Sequence, residues 1–188
     1  MTTKHQTITN KVTGEKITWL ETSKDTNGKY LLFDIEVAPK GFVPVKHFHP
    51  HQSETFEIYS GKLRVDMNGQ MKIFSAGETA TIEKMQPHQW WNASDTEPVK
   101  MKVKIAPAQN TEVFFEQFFG LCNDGKTEKD GSPSFMQIMA MNNEYEIYMA
   151  GPPLKIQKIM GVVLGSIAKL LGYKKYYPQY SEYRNTQA

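Results

Sequence analysis

Apolar and polar residues alternate with period two through most of the first 107 positions, and turn signals cut the alternation into short runs. "KYLLFDIEVAP" (29–39) sets Leu31, Phe33, Ile35 and Val37 on one face before Pro39 closes it. "EPVKMKVKIAP" (97–107) turns Val99, Met101, Val103 and Ile105 one way and Lys100, Lys102 and Lys104 the other. "KLRVDMNGQMKIF" (62–74) carries Leu63, Val65 and Met67, then Asn68-Gly69, then Met71 and Ile73, the pattern of a hairpin whose two turn residues take positive φ. "VTGEKITW" (12–19) breaks a fourth alternation at Gly14. Each run predicts a half-buried antiparallel strand, and many short strands without intervening helical periods predict a sandwich, jelly roll or small barrel.

After Pro107 the period lengthens. "NTEVFFEQFFGL" (110–121) offers Asn110 or Thr111 as a cap and places Phe114, Phe115, Phe118 and Phe119 on one helical face. A polar linker, "CNDGKTEKDGSPS" (122–134), leads to a short helix over 134–145, and "GPPLKIQKIMGVVLGSIAKLLGYKK" (151–175) predicts a longer helix ending at Gly172. The chain therefore divides into a β-domain over 1–108 and an α-helical extension over 109–188 packed on it.

Composition narrows the class. With 188 residues, 39% hydrophobic, the chain can bury a core, and its net charge of +2 gives no reason to expect nucleic-acid binding. Cys122 is the sole cysteine and the start lacks an apolar leader, so a reducing, cytoplasmic setting is expected. The most apolar stretch, 159–172, is interrupted by Lys169 and falls short of a membrane span. The basic residues from 151 onward would suit an anionic surface, but the helix's weakly segregated apolar positions predict burial against the barrel or a second copy, so membrane contact is disfavoured.

The chemistry concentrates in "HFHPHQSETFEIYSG" (47–61). His47 and His49 leave one face of a strand close enough to share an ion, whereas Pro50 ends the alternation and makes His51 a turn residue. Glu54 shares parity with Phe56 and Ile58, so it points inward while Glu57 points out; a lone inward carboxylate needs a partner, which a metal on His47 and His49 would supply. Of the remaining histidines, His5 lies in a polar N-terminal stretch expected to fray, and His88, in "MQPHQWWN", can begin an inner strand. Trp90, on the parity of His88, is a candidate for the pocket wall with Phe56; Phe48, between two ligands, should face a second layer or a partner subunit.

These residues resemble the two motifs of the cupin superfamily. Gly41, "FVPVK", His47-Phe48-His49, "PHQS", Glu54, "TFEIYS" and Gly61 meet every fixed position of the first motif. Gly77, His88 and Asn92 meet the second, where Glu83 and Met85 stand in place of the usual proline and glycine. The motif core covers 41–92. The resemblance, nearest to quercetin-dioxygenase-like members, implies a double-stranded β-helix, a jelly-roll barrel, holding one divalent transition metal on His47, His49, Glu54 and His88. Mixed imidazole and carboxylate donors suit Fe, Mn, Ni, Co, Cu or Zn and disfavour calcium and magnesium. It further implies a small-molecule ligand, and pairing of cupin sheets makes a homodimer plausible. The expected function is a metal-dependent dioxygenase-type oxidoreductase acting on a small oxygenated molecule, with Glu54 a base wherever it leaves the metal. The alternatives are a metal- and ligand-binding cupin without turnover and a sugar isomerase or epimerase, although nothing phosphate-binding is visible.

Overall fold

The computed structural model describes residues 3–181. Two antiparallel sheets face one another. The larger has the order β1-β2-β3-β10-β5-β8 and the smaller β11-β4-β9-β6-β7. In chain order the strands are β1 (Thr7–Asn10), β2 (Glu15–Glu21), β3 (Leu31–Val37), β4 (His47–Phe48), β5 (Ser53–Ser60), β6 (Lys62–Met67), β7 (Gln70–Ser75), β8 (Thr79–Ile82), β9 (His88–Asn92), β10 (Val99–Ala106) and β11 (Tyr148–Met149). The helices are α1 (Thr111–Asn123), α2 (Phe135–Tyr145) and α3 (Leu154–Leu170). This is the jelly-roll barrel with C-terminal helices that the alternation and the motifs predict.

The inward parities hold. Leu31, Phe33, Ile35 and Val37 are buried on β3, and β10 buries Val99, Met101, Val103 and Ile105 beside them. Asn68 and Gly69 both have positive φ, which gives the β6–β7 turn the twist that the flanking strands need. β7 departs from expectation: Met71 and Ile73 are exposed because β7 is an edge strand, and Phe74 alone packs toward the core. The N-terminus departs too. β1 pairs with β2, and the His5 amide donates to the Trp19 carbonyl, so His5 is pinned rather than frayed.

The smaller sheet covers only part of the larger one's inner face. Over β2 and β3 its place is taken by α1, whose Phe115 packs against Trp19 and Phe33 at centroid distances of 6.1 and 5.5 Å. Phe118, Phe119 and Cys122 of the same helix join the barrel's core cluster. Asn110 is the N-cap of α1 but makes no side-chain cap bond, whereas the Ser134 hydroxyl at the start of α2 accepts from the Gln137 amide.

The rest of the tail differs from the sequence reading in two ways. Residues 148–149 form β11, which pairs with β4 (Tyr148 opposite Phe48, Met149 opposite His47) and so extends the sheet at its metal-site edge. A two-residue strand is too short for any periodicity to mark. Second, α3 buries only Gln157, Gly161 and Ala168, against α2, and leaves most of its apolar residues exposed. Gly161 and Gly165 allow this close packing: a Cβ on Gly165 would lie 2.9 Å from the Met139 carbonyl oxygen.

Candidate metal centre

His47 of β4 lies directly opposite His88 of β9, so sheet register alone brings these two imidazoles together. His49 follows where β4 ends at Pro50, and Glu54 enters from the first turn of β5, across the barrel. One donor atom from each of His47, His49, Glu54 and His88 lies within 4.8 Å of every other. Two donors on one ion at about 2.1 Å are at most about 4.2 Å apart, so closing a few tenths of an ångström would satisfy a single ion.

The protonation pattern fits the same purpose. The His47 Nδ1–H donates to the Val45 carbonyl at 2.8 Å and the His88 Nδ1–H to the Gln86 carbonyl at 3.0 Å, which turns each Nε2 lone pair into the cluster. Glu54 faces His49 Nε2 at 3.0 Å and His88 Nε2 at 3.4 Å, ion-pair distances for a carboxylate between two imidazoles, while His49 Nδ1 is buried without a hydrogen-bond partner. Three imidazoles converging on one buried carboxylate make a donor set that a cation would suit.

Burial pushes His47 well below the usual imidazole range, helped by its two histidine neighbours. Burial also pushes Glu54 upward, but the adjacent His49 and His88 outweigh it and hold the carboxyl well below its ordinary value. For His88 burial acts downward and Glu54 reverses it. A deprotonated Glu54 suits a ligand and does not favour the role of base.

His51 lies apart from the cluster, mostly exposed, with its Nε2 3.7 Å from Glu146. Glu57 is exposed, as its parity requires. Phe48 faces away from the cluster and is covered by the chain's own tail, with the Tyr148 ring 6.0 Å off. The second-motif loop accommodates its replacements locally. Met85 takes the positive φ (63°) that glycine adopts readily, and its amide donates to the His49 carbonyl at 2.8 Å. Asn92 fixes the loops behind His88 by donating through Nδ2 to the carbonyls of Val37, Ala38 and Glu97.

The cluster opens onto a cavity of about 140 Å³. Phe56 and Trp90 line it and meet edge to face at 6.5 Å. The remaining wall is almost wholly apolar, and much of it comes from the tail: Phe114, Phe115 and Phe118 of α1, Ile138 and Met141 of α2, and Met149 of β11. Sequence reasoning missed this roof. It also missed Asn142, a buried cavity-lining amide whose Nδ2 has no partner, and Glu15, a buried carboxyl in the cavity wall. Gln52, two residues before Glu54, ties the site to the start of α1, donating to the Pro107 and Ala108 carbonyls and to Thr111 Oγ1.

A β-barrel carrying three inward histidines and a glutamate at one end of an apolar cavity is a jelly roll with a candidate metal site. Residues 33–105, the part of the barrel that holds the cluster, match the Cupin domain family. Among curated proteins it is similar to an oxidoreductase of Arthrobotrys oligospora, 27% identical over 157 residues, 75% of this chain and 60% of that protein. It is likewise similar to an epoxidase of Aspergillus terreus, 27% identical over 163 residues, 80% of this chain and 50% of that protein. The chain thus spans only about half to three fifths of these relatives' length. Among solved structures, an RmlC-like cupin from Shewanella frigidimarina aligns over 60% of this chain and 94% of its own, with a TM-score of 0.46 at 18% identity.

Proposed function

We propose that the protein is a metal-dependent oxidoreductase of the dioxygenase type, cytoplasmic, acting on a small, largely apolar molecule that presents an oxygen donor. The observation that carries this reading is the His47, His49, Glu54 and His88 cluster at the end of an otherwise apolar cavity. Relatives named as oxidoreductases support it at the level of reaction class. Four donors leave positions open on a six-coordinate ion, and such an ion would supply Lewis-acid or one-electron chemistry there, with Fe or Mn favoured over redox-inert Zn.

The chain's own residues do the rest. Carbonyls of Val45 and Gln86 hold two imidazoles in the ligating tautomer. The phenylalanines of α1 and the residues of α2 give the cavity an apolar wall beside the four donors, which lowers the local dielectric there. Asn142 offers a buried N–H donor with no protein partner and would orient an oxygen atom of the substrate. The apolar wall disfavours a sugar, whose hydroxyls would go unpaired, and so favours an oxidoreductase over an isomerase.

Metal replacement tests the reading. Protein reconstituted separately with Fe(II), Mn(II), Ni(II), Cu(II) and Zn(II) is assayed for oxygen uptake and product with flavonols, diketones and sugar acids. Uptake with an apolar flavonol or diketone, absent with Zn(II), is the expected result. Stoichiometric metal with no uptake on any substrate would leave a binding protein and reject the oxidoreductase.

A further inference from the structure

The face of α3 turned away from α2 is apolar and open. Ile159, Val163 and Leu170 lie along its centre at 64%, 55% and 87% exposure, with Ile156 and Ile167 on one border. The helix is about 25 Å long, so this is a continuous stripe and not a scatter of single residues. The face toward α2 is filled by Gln157, Gly161 and Ala168, and the outer stripe is left uncovered by the other described residues.

Charge identifies what the stripe meets. From Ile147 to Ser181 the sequence contains five lysines, Lys155, Lys158, Lys169, Lys174 and Lys175, and no aspartate or glutamate. Lys158 and Lys175 reach Glu146 and Glu144 on or just after α2, whereas Lys155, Lys169 and Lys174 have no ion-pair partner among the described residues. On the helix, Lys155, Lys158 and Lys169 flank the stripe on one side, and Tyr173 follows the helix end as an amphipathic ring. An exposed aliphatic stripe edged only by cations is the composition of a helix lying in the headgroup boundary of an anionic bilayer. A second copy of the chain fits worse, because pairing two α3 helices would oppose lysine to lysine.

We propose that α3 docks the protein on anionic phospholipid surfaces, stripe inward and lysines toward the headgroups. This assignment rests on α3 alone and stands or falls separately from the chemistry of the metal centre. Docking by this face is peripheral, consistent with the observation that no helix among the described residues is long and apolar enough to cross a membrane.

The test is co-sedimentation of the full chain with phosphatidylcholine vesicles with and without phosphatidylserine, at low and high salt, with light scattering on the vesicle-free protein. The protein is expected to partition onto the phosphatidylserine vesicles, and less so as salt rises. Val163→Glu with Leu170→Glu should lower partitioning by about tenfold or more, and each of Lys155→Ser and Lys169→Ser by about fivefold. All four positions are exposed, so the melting temperature should stay unchanged, which separates loss of docking from loss of folding. Failure of the unaltered protein to bind phosphatidylserine vesicles would overturn the proposal. So would a dimer in solution that Val163→Glu with Leu170→Glu converts to monomer, since the stripe would then belong to a second copy.

Discussion

Two buried polar residues in the cavity wall make separable predictions. Burial pushes the Glu15 carboxyl up from 4.5 to about 7, against the opposing hydrogen bond from Thr13. The folded protein therefore holds this proton more tightly than the unfolded chain between those values. Stability contributed below the lower value is lost as pH rises through the window, by about 3 kcal/mol in all, and changes no further above about pH 7. Urea unfolding of Glu15→Gln should lack that decline, so its stability relative to the parent should improve from pH 5 to pH 8 by about 2.5 kcal/mol; an equal decline in both would refute the assignment. Asn142 behaves in the opposite sense. Its Nδ2 has no partner to lose, but its Oδ1 accepts from the Asn143 amide at 2.8 Å, so Asn142→Leu should cost about 1 kcal/mol in stability while raising KM about tenfold through the missing donor. Met85 tests the altered second motif. A non-glycine residue at φ 63° costs about 1 kcal/mol, so Met85→Gly should be neutral to slightly stabilising in thermal melts, whereas Met85→Val should destabilise.

Among the elements, those with a clean period were legible and those held by side-chain amides were not. The alternation on β3 and β10 marks inward residues because one face is buried along the whole strand. The first motif likewise places His47, His49 and Glu54 by parity alone, and His88 joins them through the register of β4 with β9. The tail follows a different logic. Gln117, Gln137 and Gln157 are each almost fully buried and bond to distant backbone: Gln117 to Tyr177, Gln137 to Lys174, and Gln157 to Met149 on both its amide and its carbonyl. A glutamine in a sequence reads as solvated, so neither the position of β11 nor the roof over the cavity could be seen in advance. The exposed stripe of α3 escaped for the converse reason, since periodicity shows an apolar face but not whether anything covers it. Gln157 provides the test at this scale. Gln157→Leu leaves the Met149 amide and carbonyl without their partners, and should cost about 1 to 3 kcal/mol. Hydrogen exchange should localise the loss, with the amides of β11 and the first turn of α3 exchanging faster and those of β3 and β10 unchanged.

For the molecule as a whole, the metal centre is where the two sheets and the tail depend on one another. His47 and His88 come from the smaller sheet, Glu54 from the larger, and β11 lies against His47. Without an ion, the Glu54 carboxylate is held by His49 Nε2 at 3.0 Å and His88 Nε2 at 3.4 Å, a pairing that an ion between the four donors would take over. An ion bound to the folded state and not to the unfolded chain adds RT ln(1 + [M]/Kd), about 4 kcal/mol at a thousandfold excess over Kd. For a chain of this size that corresponds to a rise in melting temperature of about 10 °C. Metal-free protein should therefore melt about 10 °C lower than protein titrated with Fe(II), Mn(II), Ni(II) or Zn(II), and a chelator should reverse the gain. His49→Ala should abolish the response and bind no stoichiometric metal by elemental analysis. Glu54→Gln should separate the terms: it removes the carboxylate that His49 and His88 hold ionised, so the metal-free variant should melt lower than metal-free parent, and its gain on adding metal should be smaller. If the parent's melting temperature does not move with any of these ions, the four donors do not form a metal site in this protein, whatever their spacing.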